Sequence, residues 1–218
     1  MPTAKSLPAF FLLAGVLGSA PALHAEPAAL TAADPSRVTP KLLRTCAKCH
    51  YESGISDDPE MPHLAGQRAS YLFKQLQDFK ADARDGGRMN KIAKRLDEQE
   101  MADLAVLFAG KPLPAEPGVA PPAAPSLVTA GDAGRGIESC ASCHGDDGRG
   151  LSDKYDAPAL AGMPLLYFEI MMTAFRDGER ANDADGVMRA AAKGLTDDEI
   201  GSLARYYLAL GGRQPLPE

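Results

Sequence analysis

Residues 46–50 read Cys-Ala-Lys-Cys-His, and residues 140–144 read Cys-Ala-Ser-Cys-His. This spacing sets both sulfurs of a pair on one side of a helical turn, with the histidine beside them. Cys-x-x-Cys-His is the attachment signature of c-type haem. The two thiols form thioethers with the haem vinyl groups, and the imidazole lies under the ring and ligates the iron. A dithiol redox site expects a strand–helix context, and no alternating strand pattern surrounds either motif. A structural zinc site would pool ligands from motifs about ninety residues apart and leave the paired histidines unexplained. The reading is two covalently bound haem c groups, held by Cys46, Cys49, Cys140 and Cys143, with His50 and His144 as iron ligands.

The sequence around the motifs repeats in order. Pro62-His63-Leu64-Ala65-Gly66 recurs as Pro158-Ala159-Leu160-Ala161-Gly162. Tyr71 and Phe79 match Tyr167 and Phe175. Met89, Leu96, Leu104 and Phe108 match Met188, Leu195, Leu203 and Tyr207. Two copies of one unit explain this better than one domain of 218 residues. Between the copies, residues 111–126 carry six prolines, which exclude a helix interior or a central strand and predict an extended, semi-rigid connector.

Each copy reads as helical. Thr39 caps a helix that starts at Pro40 and runs into the first motif. A second helix spans about 70–81, with Leu72, Phe73, Leu76 and Phe79 on its apolar stripe. A third starts at Asp97, paired with Glu100 as a capping box. In the second copy, Asp132 is expected to cap a helix ending in the second motif. Another helix spans about 164–176, and Thr196 with Glu199 boxes a last helix stopping at Gly211 and Gly212. The apolar content of each copy is modest for its size, and a bound macrocycle would supply the rest of the core.

The N-terminus reads as a secretory signal peptide. Lys5 gives a positive start, an apolar run extends from Phe10 to Leu17, and small residues allow cleavage after Ala22 or Ala25. The apolar run is shorter than the ~20 residues that cross a bilayer. The expected organisation is therefore a signal peptide at 1–25, an N-terminal domain at 26–110, a linker at 111–126 and a C-terminal domain at 127–218.

The sixth iron ligand comes from elsewhere in each copy. Of the four histidines, His24 falls in the signal peptide and two belong to the motifs. His63 faces Ala159 across the repeat and reads as a surface or packing residue. A methionine thioether suits low-spin haem iron. Met89 lies seven residues before Leu96, and Met188 lies seven before Leu195. The repeat therefore selects Met89 and Met188, placed in a loop crossing the haem face opposite the histidine. Met101 matches Ile200 and reads as core. Met61 aligns with no methionine, and Met163, Met171 and Met172 read as packing.

Charge divides unevenly. Residues 26–111 hold 13 Lys and Arg against 13 Asp and Glu, whereas residues 127–218 hold 9 against 15. The dipole can orient encounters with partners. Nothing suggests nucleic-acid binding.

The two Cys-x-x-Cys-His motifs, the two Pro-x-Leu-Ala-Gly segments, the methionine interval and the stretches SYLFKQLQDFK, MNKIAKRL and MRAAAKGLTDDEI carry a resemblance to the dihaem cytochromes of the cytochrome c4 family. It covers the whole mature chain. The resemblance implies an all-α fold of two tandem class I cytochrome c-like domains, with His/Met ligation of both irons. It also implies that the carbonyls of Pro62 and Pro158 hold the ligating imidazoles by hydrogen bonds. The implied role is a periplasmic carrier of single electrons, not an enzyme. Its redox protein partners would be a respiratory complex and a terminal oxidase or reductase, and the role is compatible with peripheral membrane association. The alternative is the electron-accepting cytochrome subunit of a periplasmic dehydrogenase. A peroxidase-like activity would need an open iron position and acid–base groups, for which His63 is the one spare histidine. Two departures stand out. Tyr51 follows the first motif where the family often has glycine. The linker is longer and richer in proline than the usual connector, which leaves the face-to-face packing of the two domains open.

Overall fold

The computed structural model describes residues 27–113, 122–151 and 156–211. The signal peptide at 1–25, residues 114–121 of the 111–126 linker and Gly212 lie outside the described residues. Every regular element among those described is helical, apart from one isolated bridge.

In the first unit a short helix α1 (Ala28–Thr31) precedes α2 (Pro40–His50). The Thr39 hydroxyl accepts from the Leu42 N–H at 3.2 Å, and Pro40 occupies the first turn, where its missing N–H costs nothing. Helix α3 (Ala69–Lys80) buries Leu72, Phe73 and Phe79. Helix α4 is Arg88–Ala93, and α5 is Glu98–Ala109. Asp97 and Glu100 form the expected reciprocal cap of α5, at 2.8 and 3.0 Å. Helices α3 and α5 pack across a core of Leu72, Phe73, Met101, Leu104 and Phe108.

The second unit opens with α6 (Ser126–Thr129). Here the structure corrects one expectation. Asp132 caps no helix but pairs with Ile137 through two backbone hydrogen bonds of 2.7 and 2.9 Å. Gly131 and Gly136, both at positive φ, close this tight turn, and at Gly131 an added Cβ would sit 2.3 Å from the Ile137 carbonyl oxygen. The motif helix α7 is consequently one turn, Ala141–His144, against eleven residues in α2. Then follow α8 (Leu165–Asp177), ended by left-handed Gly178, α9 (Val187–Ala192) and α10 (Asp197–Leu210). Thr196 and Glu199 form the expected capping box of α10. Helices α8 and α10 pack over a separate core that includes Phe168, Phe175, Ile200, Leu203 and Tyr207.

Met89 and Met188 differ from expectation in one respect. Each stands in the first turn of a short helix, α4 or α9, rather than in an open loop. Gly87 and Gly186, both at positive φ, turn the chain into these helices. Met101 and Ile200 are core residues, 3% and 2% exposed.

Candidate haem sites

Each motif histidine is fixed by a proline carbonyl. His50 Nδ1–H donates to the Pro62 oxygen at 3.2 Å, and His144 Nδ1–H to the Pro158 oxygen at 2.9 Å. With the proton on Nδ1, the Nε2 lone pair is free to bind a metal. Burial pulls the pKa of both rings down, which keeps them neutral, while the proline carbonyls act in the opposite direction.

The four cysteines are partly buried and form no disulfide. Burial pushes the Cys46 thiol up to about 11 and raises Cys140 as well. Burial thus disfavours the reactive thiolate at Cys46 and Cys140. Among the described residues, no group of three or more His, Cys, Asp or Glu is placed to hold a free metal ion.

Both motifs open into one continuous cavity of about 1000 Å³, at the top of the usual range for a small-molecule site. Its walls include all four motif cysteines, His50, His144, Met89 and Met188. Met163 and Met172 belong to the second core, and Met61 and Met171 line the wall without being repeated in the other unit. His63 also lines the cavity, half-buried, with Nδ1 accepting from the Ser56 N–H at 3.1 Å. The Tyr207 hydroxyl is buried there beside the Cys140 thiol, with no oxygen or nitrogen partner among the described residues. A polar atom so placed, facing an apolar cavity, fits a site made for a large group with polar edges.

The units meet face to face across this cavity. The Gln67 amide pairs with the Ala159 backbone in both directions, at 2.9 and 2.8 Å. The Tyr167 N–H donates to the Pro59 oxygen at 2.9 Å. Two arginines are exchanged about a pseudo-two-fold axis. Arg84 lies over Phe79 of its own unit and donates to Tyr167 of the other at 3.0 Å. Arg180 lies over Phe175 and donates to Tyr71 at 3.1 Å. Both also donate to the Gln75 carbonyl oxygen, at 2.7 and 3.2 Å. Both are buried, both line the cavity, and neither is ion-paired with a described carboxylate. Burial pushes the Tyr71 phenol up, yet Arg180, Arg84 and Lys74 together bring it down on balance. Buried cations without a paired carboxylate are costly, and these two put positive charge on the cavity wall where the carboxylates of a haem would be welcome. Sequence reasoning missed these residues. A signal was present, since Arg84 and Arg180 stand at the same distance after the paired phenylalanines.

The family model described as cytochrome c matches this chain twice, over residues 40–106 and 132–210. Cytochrome c4 of Thiocapsa roseopersicina is 35% identical over 85% of this chain and 97% of its own length. The chain belongs to the cytochrome c4 family. It is also 32% identical to a thiosulfate dehydrogenase electron acceptor of Thiomonas intermedia, over 88% of this chain and 86% of that protein. The crystal structure of reduced recombinant cytochrome c4 from Pseudomonas stutzeri superposes with a TM-score of 0.68 at 31% identity, covering 81% of this chain and 98% of that one. Like its c4 relatives, this protein is a dihaem electron-transfer cytochrome of two tandem class I domains, with two covalently bound haem c groups.

Proposed function

We propose that the chain is exported by its 1–25 leader and shuttles single electrons between respiratory partners in the periplasm, with no catalysis of its own. The domains are 26–110 and 127–218, joined by the 111–126 linker. Cys46 and Cys49 tether one haem, and Cys140 and Cys143 the other. His50 with Met89 and His144 with Met188 are the axial ligand pairs. Pro62 and Pro158 orient the imidazoles.

The observation that carries this reading is the single cavity. Both sets of thiols, imidazoles and thioethers converge on it from two packed units. When bound, haem supplies one-electron exchange at iron. The chain's residues do the rest. The proline carbonyls lock each imidazole in one tautomer, Met89 and Met188 would supply the second ligand to each iron and so leave no position open to substrate, and the apolar walls exclude water. Arg84 and Arg180, each bonded across the interface, would neutralise carboxylates of haems bound in this cavity.

A redox titration followed in the visible and near-infrared tests the assignment. Two one-electron waves are expected, with two equivalents of the methionine-to-ferric-iron band. Met188→Ala removes one equivalent and Met172→Ala none. One equivalent of the band in the parent protein, or a band untouched by Met188→Ala, refutes the ligand set.

One specific observation favours a second reading. The likeness to thiosulfate dehydrogenase electron acceptors extends over most of the chain. On that reading the protein takes its electrons from a dehydrogenase polypeptide. A dehydrogenase co-purifying in fixed proportion supports it, and a monomeric holoprotein from native extract opposes it.

A further inference from the structure

Five cations border the first haem site. Lys41, Arg44 and Lys48 recur at i, i+3 and i+7 along α2, a face about 10 Å long. Thr45 and Lys48 line the cavity, and Lys41 and Arg44 stand one turn before them on the same side. Arg88 and Lys91 extend the face on α4, where the Arg88 guanidinium lies 3.9 Å from the Cys49 sulfur. All five are exposed, and none forms an ion pair with a described residue.

The second unit removes this face position by position. Counted from the motifs, Lys41, Arg44 and Lys48 correspond to Arg135, Glu138 and Ser142. Arg135 is consumed by Asp132 and Glu199, both at 2.7 Å. Counted from the methionines, Arg88 and Lys91 correspond to Val187 and Ala190. Folding of one repeated plan does not require these cations, since its second copy folds without them. Four acids, Asp57, Asp58, Glu60 and Asp85, line the same cavity, and none of them is ion-paired with the five cations. Asp85 accepts from the Gly87 N–H at 3.0 Å, and the loop bearing Asp57, Asp58 and Glu60 is turned toward the second unit, where Pro59 bonds to Tyr167.

We propose that this face of the N-terminal unit docks a redox protein through an acidic patch, making the first haem the port for that partner. The inference rests on the electron-carrier reading and adds the partner's surface chemistry. Clustered like charges beside a redox centre raise encounter rates with an opposite surface, in a manner that salt weakens steeply. The second haem lacks the face and serves a partner of different surface character.

The test uses reduced full-length holoprotein and an oxidised small acidic blue-copper protein as probe, mixed by stopped flow at low ionic strength. Replacing Lys41, Arg44 and Lys48 with glutamine, singly and together, is expected to slow transfer, by about tenfold for the triple variant, and to flatten its salt dependence. Replacing Asp146 and Asp147 beside the second motif with asparagine leaves the rate unchanged or raises it. A triple variant within twofold of the parent overturns the proposal, as does an equal loss from the Asp146 and Asp147 variant. A neutral small-molecule quinol is run alongside. If it fails to reduce both haems of the parent, the carrier reading itself has failed. If it reduces them normally in every variant, changes with the acidic probe report docking alone.

Discussion

The two units share one plan and differ at its edges. Both hold a histidine against a proline carbonyl, a methionine at the start of a short helix, and an arginine over a phenylalanine. They part where nothing in haem retention constrains them. The first motif ends an eleven-residue helix and the second a single turn. After the first histidine stands Tyr51, with φ 58° and ψ 163°, and after the second stands Gly145, with φ 78° and ψ 156°. That backbone region is essentially reserved for glycine, so Tyr51 stores strain of ~1–3 kcal/mol. The two units thus separate what the fold needs from what one site alone uses.

The largest expected effect breaks the pairing outright. Serine at Cys140 and Cys143 should leave one haem per chain by mass spectrometry. The second unit should melt while the first keeps its helices, costing roughly half the far-ultraviolet helical signal, because a small domain without its cofactor core is marginal. Next comes the interface. Arg84→Met and Arg180→Met each remove a buried cation that favours the reduced, more negative state. Each should lower a haem potential by on the order of 50–100 mV, as a charge several ångströms away at intermediate dielectric implies. Equal shifts would support the pseudo-symmetry, and a shift confined to one variant would break it.

Smaller effects sharpen the contrast at the strained tyrosine. Tyr51→Gly relieves the backbone but loses the hydroxyl's bond to Asp57, at 2.6 Å. The net gain should be about 1 kcal/mol, read as a rise of a few degrees in the melting temperature. Gly145→Ala should move it the other way, because alanine would have to adopt the same glycine-only backbone, with the Asp147 carboxylate 3.0 Å from its Cβ as a lesser crowding. The smallest effect concerns one feature common to both units, an arginine clamp on the final helix. Arg37 holds the Asp103 carboxyl down to about 2, and Arg135 does the same for Glu199, with its carboxyl also at about 2. Both carboxylates titrate lower folded than unfolded. Their stabilisation is complete above about pH 4.5 and drains away as pH falls toward 2. Asp103→Asn should therefore cost stability at pH 6 and little at pH 2, a difference acid denaturation curves would register. Arg37 is half exposed and Arg135 a third, so solvent keeps both effects modest.

What was legible in the sequence was local. The thiol–imidazole spacing, the caps at Thr39, Asp97 and Thr196 and the apolar stripe of α3 act within a turn or two of helix. The methionine interval could be read because the chain carries its plan twice. The turn at Asp132 escaped because a good capping residue was weighed without the glycines on either side of it. Only the tertiary structure decided that the two units close over one cavity. Gln67 finds the Ala159 backbone, Arg84 finds Tyr167, and Arg180 finds Tyr71, each across more than eighty residues of chain. Such partners are chosen by the shapes of two folded surfaces, which no short window of sequence contains.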